Sequence, residues 1–478
     1  MEQKNFVKEV ANINEDFPQW YTDVVLKTGL VDYGPVKGTM VIRPYGYAVW
    51  ENIHKELDAR FQATGHENAY FPMFIPYSFL QREAEHVEGF APEVALVTLL
   101  GNTELPEKLV VRPNSETIIC EMYAKWIQSY RDLPVLINQW ANVVRWEKTT
   151  RPFLRTSEFL WQEGHTVHAT EEEAQEETLR MLEVYREFAE NVLAIPVYVG
   201  RKSQKEKFAG AVATYGMEAM MLDGKSLQAG TSHYLGQNFA KVFDIKFLDK
   251  DGKQKNPYQT SWGVSTRLIG AVIMAHGDER GLVLPPKVAP TQVIIVPIAA
   301  HKPGVVESAE ALKAELVAKG IRAKVDNRDQ SAGWKFNEWE MKGVPLRLEL
   351  GPRDIENGVV TAVSRLSTEK VTEQREGIAD IVIQKLEQIH KDMLARAKAF
   401  RDEHTKVVTN MVELENAIEN KNFAIGDWCE DPECEKLVKE KLSATTRVMP
   451  LDRHTVGGGV CCVCGKPAKT SVYFAKSY

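Results

Sequence analysis

Residues 143–168, VVRWEKTTRPFLRTSEFLWQEGHTVH, bring together side-chain types that packing alone seldom gathers. Two strand-like arms flank a basic loop, Lys148 to Pro152. On the second arm Arg155, Ser157, Phe159, Trp161, Glu163 and His165 share parity, so in a strand they project from one face. A face with two aromatic rings, a carboxylate and an imidazole is poor core material, because each polar group buried unpaired costs about 1–3 kcal/mol. The first arm adds Arg145 and Glu147. Guanidinium groups at corresponding places on paired arms, Arg145 and Arg155, make a clamp suited to phosphates.

A second chemical cluster lies near the end of the chain. Of six cysteines, five fall within the last 50 residues: Cys429, Cys434, Cys461, Cys462 and Cys464. Cys429-x4-Cys434 and Cys461-x2-Cys464 have zinc-ligand spacing, with Cys462-x-Cys464 as the alternative second pair. Cys461 is favoured because a C-x2-C knuckle closes readily on a tetrahedral ion. No open coordination position is implied, so the Zn²⁺ is expected to be structural. Cys120 stands alone in an apolar helical context and reads as a small buried hydrophobe.

These groups need elements to hold them. Strand-like runs at 108–112, 135–147, 153–168, 234–248 and 258–264 follow one another with hairpin-length gaps. They predict a largely antiparallel sheet with flanking helices over residues 1–286. Trp50, Ile53, Leu57 and Phe61 predict a helix after Pro44. Thr170 and Glu173 predict a capped helix whose buried face carries Leu179, Leu182, Tyr185, Phe188 and Val192. The proline-rich stretch 282–290, LVLPPKVAP, reads as a linker. Alternating strands and helices over 287–398 predict a small α/β domain, and residues 399–478 a small zinc-binding α/β domain. The overall class is α+β.

The chain has 478 residues with 44% hydrophobic and 26% charged, the profile of a globular protein of about three domains. The charged start MEQKNFVKEVANINEDF lacks the apolar core of a signal peptide. No run of about 18 apolar residues exists to cross a membrane, so the cytoplasm is the expected compartment. A net charge of −7 does not advertise nucleic-acid binding, so any case for it must come from motifs.

The motifs supply that case. The pattern R-x-E, loop, F-L-R-x-x-E-F-x-W-Q-E-G-H resembles motif 2 of class II aminoacyl-tRNA synthetases in its prolyl form. VRPNSET (111–117), NQWANVVRWE (138–147), GRKSQKEKFAGA (200–211), AGTSHYLGQNFAK (229–241) and SWGVSTRLIGAVIMAHGDERGLVLPP (261–286) resemble segments of prolyl-tRNA synthetases in the same order. The WQEGH and GTSHYLGQNF segments argue against the threonyl and glycyl enzymes. The presence of Arg145, Arg155 and Arg267 argues against an accessory protein that has lost catalysis.

The resemblance implies roles. Arg145 would hold the α-phosphate of ATP and the L-proline carboxylate, Glu147 would meet the adenine, and Arg155 would reach the outer phosphates with Mg²⁺. Gln228 and Thr231 would contact ATP, and Arg267 would lie along the nucleotide. Glu116, Phe159, Trp161, Glu163, His165, His233 and Ser265 would shape the proline pocket. Asn114 stands where the family usually has threonine, and its amide oxygen would accept the substrate amine. Pro44 would mark motif 1 and a homodimer interface. Glu340, Arg347 and Lys370 would read anticodon bases of tRNA(Pro). The FAKSY terminus implies that Tyr478 folds back toward the catalytic region.

Only about 60 residues separate His165 from Gln228. The chain thus resembles the archaeal- and eukaryote-like type without the editing insertion, and no hydrolysis of alanyl-tRNA in cis is expected. Lys202, Lys205 and Lys207 read as solvated lysines, and His276 as a residue satisfying a local turn.

Overall fold

A computed structural model describes residues 10–86, 94–452 and 454–478. Of the charged opening stretch, residues 1–9 lie outside the described residues. No helix among the described residues is long and apolar enough to cross a membrane.

The first region is built on an eight-stranded sheet. Its centre runs Ala213–Met220, Ser226–Gly236, Tyr258–Ser265, Glu158–His168, Val135–Val144, each pair antiparallel. The outer pair of Glu67–Asn68 with Val135–Val144 is parallel. Helices Pro44–Ala63 and Glu171–Asn191 cover one face, burying Trp50, Ile53, Leu57, Phe61, Tyr185 and Phe188 with Trp262 in one core. Thr170 caps the second helix by accepting from Glu173 N. Leu182, Tyr185, Phe188 and Val192 are buried as expected, but Leu179 is 41% exposed and Thr178 and Met181 point inward instead. The glycine of WQEGH is a packing requirement, because a Cβ on Gly164 would sit 2.2 Å from the Trp262 ring.

Two strand expectations are corrected. The run expected at 234–248 is instead the end of Ser226–Gly236, a short helix Asn238–Val242 and a two-residue strand, Phe247–Leu248. Gly236, at φ +57°, ends the long strand where the ladder already shifts register at Tyr234. The second arm of the hairpin begins at Glu158 and not 153, because residues 145–157 form a loop in which Arg151 bridges Arg155.

The second region is a five-stranded mixed sheet in the order Ala323–Val325, Val293–Pro297, Leu346–Leu350, Val359–Ser364, Lys370–Gln374. Helices Val305–Ala318 and Ala332–Met341 connect its parallel strands. The 282–290 stretch is a buried crossing and not a loose linker: Leu282, Leu284 and Val288 join the first core while Val283 joins the second. The long helix Ile378–Glu403 then runs unbroken into the last region.

That last region has four strands, Thr405–Val408, Phe423–Trp428, Thr470–Ala475 and Thr445–Thr446, with helices Met411–Glu419 and Pro432–Leu442. It docks on the first region by adding the short strand Met449–Pro450 to Val197–Arg201. A buried ion triad sits at this joint. Lys202, read as a solvated lysine, is 2% exposed and pairs with Glu218, which also takes Arg447 Nη2 at 3.1 Å and Ser226 Oγ at 2.6 Å. The Lys202 stem runs over Gly216, where a Cβ would lie 2.7 Å from its Cε, a long-range fit that periodicity could not reveal.

Burial opposes the Glu218 charge, but the Lys202 and Arg447 cations carry its carboxyl down to about 2. The unfolded value is about 4.3, so the triad's stabilisation is present above that pH and is lost as pH falls toward 2. Thermal melts in a pH series are expected to show a steep acid limb for the native chain, and a shallower one for Arg447→Met.

Candidate active site

The central strands converge on a cleft with a cavity volume of about 160 Å³. Glu116, Arg145, Phe159, Trp161, Glu163, His165, Gln228, Thr231, His233, Ser265 and Arg267 all line it. The parity read from sequence holds: Phe159, Trp161, Glu163 and His165 face the cleft from alternate positions of one strand. Beside them Asn114 is buried, with its Oδ1 free of any hydrogen bond in the protein. Glu147 and Arg155 lie outside the lining, paired with each other at 3.7 Å where the hairpin loop leaves the sheet.

One end of the cleft is acidic and aromatic. Glu163 accepts from Ser115 Oγ, from Gln139 Nε2 at 2.8 Å and from His165 Nε2 at 2.9 Å. Burial works against its charge, yet these bonds and the His165 cation hold the carboxyl below the usual range. For His165 burial favours the neutral ring, but the Glu163 bond and the charges of Glu163 and Glu116 raise it above its ordinary value. His233 goes the other way: burial and the neighbouring His165 push it down to about 3, so it stays neutral and bonds Thr214 Oγ1 at 2.9 Å. Burial raises Glu116, whose Oε2 lacks a protein partner. Phe159 and Trp161 meet edge to face at 5.9 Å.

The other end is cationic. Arg145 donates from Nε to the Pro113 carbonyl at 2.9 Å, which ties it to the RPNSE segment. Its guanidinium lies 5.4–5.5 Å from the Trp161 and Phe159 rings. Arg267 donates to the Leu154 and Gln228 carbonyls at 3.1 and 3.4 Å. Burial depresses both arginines, and for Arg267 the charges of Arg155 and Arg145 push the same way. Arg145 and Arg267 thus bring two like charges to one partly desolvated space, which favours an anion between them. Acceptors for an ammonium stand at one end and donors for an anion at the other, an arrangement that fits an amino acid placed against a nucleotide phosphate.

Several supports were not singled out in the sequence. Ser115 and Gln139 fix Glu163; Gln139 is its cross-strand partner, a relation legible only once the hairpin register is known. Arg112 is fully enclosed and braces the RPNSE segment through Phe71 O at 2.6 Å and Asn142 O at 2.9 Å. Ser261 and Gly263 line the cleft with Ser265, an alternation of small residues that signals a strand face kept open.

The remaining candidates lie elsewhere. Glu340 and Arg347 sit in the second region. Arg347 lies 4.0 Å from the Phe336 ring and 3.1 Å from Glu349, which also pairs with Lys370 at 2.6 Å. The sulfurs of Cys429, Cys434, Cys461 and Cys464 all fall within 4.8 Å of one another, with Cys429 3.7 Å from both Cys434 and Cys464. A tetrahedral Zn²⁺ with sulfurs at about 2.3 Å would set them roughly 3.8 Å apart, so the donor set fits that ion. Cys462 is not in the cluster; its sulfur lies against Gly426. Tyr478 returns to the first region, bonding Asp223 at 2.6 Å and Ser226 O at 3.1 Å. His276 is buried and bonds the distant Leu193 carbonyl at 2.8 Å, not its own turn.

An antiparallel sheet carrying this cleft is the core of a class II aminoacyl-tRNA synthetase. Residues 100–276 match the family of the tRNA synthetase class II core domain (G, H, P, S and T), and residues 292–385 match the anticodon binding domain. Residues 411–478 match the C-terminal domain of prolyl-tRNA synthetase. The chain is 58% identical over 478 residues to Proline--tRNA ligase 2 of Clostridioides difficile (strain 630), covering 100% of this chain and 99% of that one. It is 59% identical over 478 residues to Proline--tRNA ligase of Alkaliphilus oremlandii, with the same coverage. It is 56% identical over 487 residues to that of Symbiobacterium thermophilum, covering both chains fully at 100%. The chain belongs to the proline--tRNA ligase family.

Proposed function

We propose that the chain activates L-proline with ATP to prolyl-adenylate and transfers the prolyl group to the 3′-terminal adenosine of tRNA(Pro). The observation that carries this is the polarity of the cleft, with Glu163, Glu116 and Asn114 at one end and Arg145 and Arg267 at the other. Proline's charged secondary amine is held by Glu163, kept ionised by His165, and by the unpartnered oxygens of Asn114 and Glu116. Its ring rests on Phe159 and Trp161. Its carboxylate is already ionised and needs no general base. It attacks the α-phosphorus in line and pyrophosphate leaves. Catalysis is then positioning and charge neutralisation. Arg145 meets the α-phosphate and the substrate carboxylate, Arg267 lies along the nucleotide, Gln228 and Thr231 contact it, Glu147 meets the adenine and Arg155 the outer phosphates. Mg²⁺ bound with ATP adds charge neutralisation at the phosphates. In the second step a hydroxyl of the terminal adenosine attacks the mixed anhydride and AMP departs. Formation of labelled prolyl-tRNA from proline, ATP and tRNA(Pro) tests this; no product would refute it.

The same reading divides the chain at 1–286, 287–398 and 399–478, with the last joint inside the helix Ile378–Glu403. Anticodon bases are read at Glu340 and Arg347, and the four cysteines hold a structural Zn²⁺. We infer a homodimer in the cytoplasm. Tyr33, Val41 and Tyr47 are 58%, 52% and 44% exposed beside the helix that starts at Pro44, and contiguous exposed apolar surface marks association. Between the hairpin and Gln228 stand only the helix Glu171–Asn191 and the strands Val197–Arg201 and Ala213–Met220. The pure protein is therefore expected to leave Ala-tRNA(Pro) intact in a deacylation assay, and hydrolysis above the spontaneous rate would contradict that.

A further inference from the structure

The helix Ala332–Met341 of the second region ends against the catalytic region, not in solvent. The last carbonyls of a helix have no partner within it. Here three carbonyls at the end meet donors from elsewhere in the fold: Glu340 O accepts from Arg365 Nε at 2.8 Å, Met341 O from Leu282 N at 2.9 Å, and the following Lys342 O from Tyr45 Oη at 2.7 Å. Gly281, at φ +118°, lets the two segments meet, since a Cβ there would lie 2.6 Å from Met341 O.

Four charged side chains lock this junction. Arg280 Nη1 donates to Glu340 Oε1 at 2.7 Å, and its Nη2 to the Arg365 carbonyl at 3.1 Å. Arg365 grips Asp278 with two bonds, of 2.8 and 2.6 Å. Arg280 also reaches Asp278 at 3.4 Å. Asp278 follows directly on the helix Arg267–His276 and its cap Gly277, and that helix begins with the cleft arginine Arg267. Glu340 keeps 22% of its side chain open to solvent, so its carboxylate is held but still reachable.

We propose that Arg280 is a positioning residue for anticodon discrimination, fixing the Glu340 carboxylate and tying it, through Asp278 and Arg365, to the end of the helix that carries Arg267. The proposal rests on the reading of Glu340 as an anticodon contact. A free glutamate gives up rotamer entropy when it engages a base. One already held by a charge-assisted bond does not, and the gain appears as affinity for the cognate base. The reader is thus set by a residue of the catalytic region.

The test compares charging of tRNA(Pro) with charging of the same tRNA carrying a substituted anticodon, beside tRNA-independent ATP–pyrophosphate exchange. Arg280→Met is expected to leave exchange within about twofold. It lowers kcat/KM for tRNA(Pro) about tenfold, or about 1.4 kcal/mol, and leaves the substituted tRNA unaffected. Arg280→Lys, which keeps the charge but lacks the fork that reaches both Glu340 and the Arg365 carbonyl, recovers about half of the lost discrimination on a logarithmic scale, roughly threefold. Equal losses on both tRNAs, or a loss of exchange matching that of charging, would overturn the proposal. Glu340→Gln, measured in parallel, separates the two readings. If it narrows discrimination and Arg280→Met does not, the Arg280 proposal falls alone. If neither does, the reading of Glu340 falls with it.

Discussion

Arg145→Ala is expected to lower kcat/KM for proline-dependent ATP–pyrophosphate exchange by about 10³-fold, with Arg267→Ala close behind. In the proposed reaction both groups aim at charge that develops during adenylate formation, and an interaction made most strongly in the transition state is lost from kcat rather than from KM alone. Arg145 also touches the ring wall of the proline end, lying 5.4 Å from Trp161, so its loss raises the proline KM as well. Stability is expected to move the other way. Arg267 is held below its ordinary value by burial and by the charges of Arg155 and Arg145, so its removal relieves like-charge repulsion, whereas Arg145 is supported by the carboxylates of Glu116, Glu163 and Glu147. The melting temperature of Arg267→Ala should therefore hold or rise slightly while activity collapses. A fall in activity below about tenfold would mean that neither arginine faces the reacting phosphate.

The second large effect concerns the cysteine cluster. Stripping Zn²⁺ with a chelator, or making Cys434→Ser, is expected to unfold the C-terminal region and take activity with it. Structural zinc sites contribute on the order of 10 kcal/mol to small domains. The core of this region packs Cys429, Cys434 and Cys461 directly against apolar groups such as Leu414, Trp428, Val438 and Phe474, so loss of the ion would loosen the core itself. Activity should follow because Arg447, the strand Met449–Pro450 and Tyr478 all rest on the catalytic sheet. The checks are zinc content near one per chain, loss of the ion on chelation and a parallel fall in melting temperature and exchange. Unchanged stability and activity after metal removal would contradict the structural role.

Much of the site was legible because a strand has period two. Phe159, Trp161, Glu163 and His165 could be placed on one face without knowing what lay opposite, and the cleft does collect them. The cysteine spacings were equally local, and the fold gathers Cys461, not Cys462, with the sulfurs of Cys429, Cys434 and Cys464. What escaped depends on long-range contacts. Lys202 looks like any surface lysine until Arg447, far along the chain, arrives beside Glu218. The 282–290 stretch has linker composition, yet two cores close on it from either side. Gly236 ends a strand that apolar content alone would have continued to 248. Leu179 shows the same limit in a helix: its spacing suits the buried face, but the sheet beneath selects Thr178 and Met181.

The polarity of the cleft is the centre of this account, and ATP–pyrophosphate exchange measured with each of the twenty amino acids tests it most directly. Proline alone should stimulate exchange strongly, and Glu163→Gln should weaken that response by raising the proline KM while leaving ATP binding largely unchanged. Failure of proline to stimulate exchange, or a stronger response to another amino acid, would contradict it.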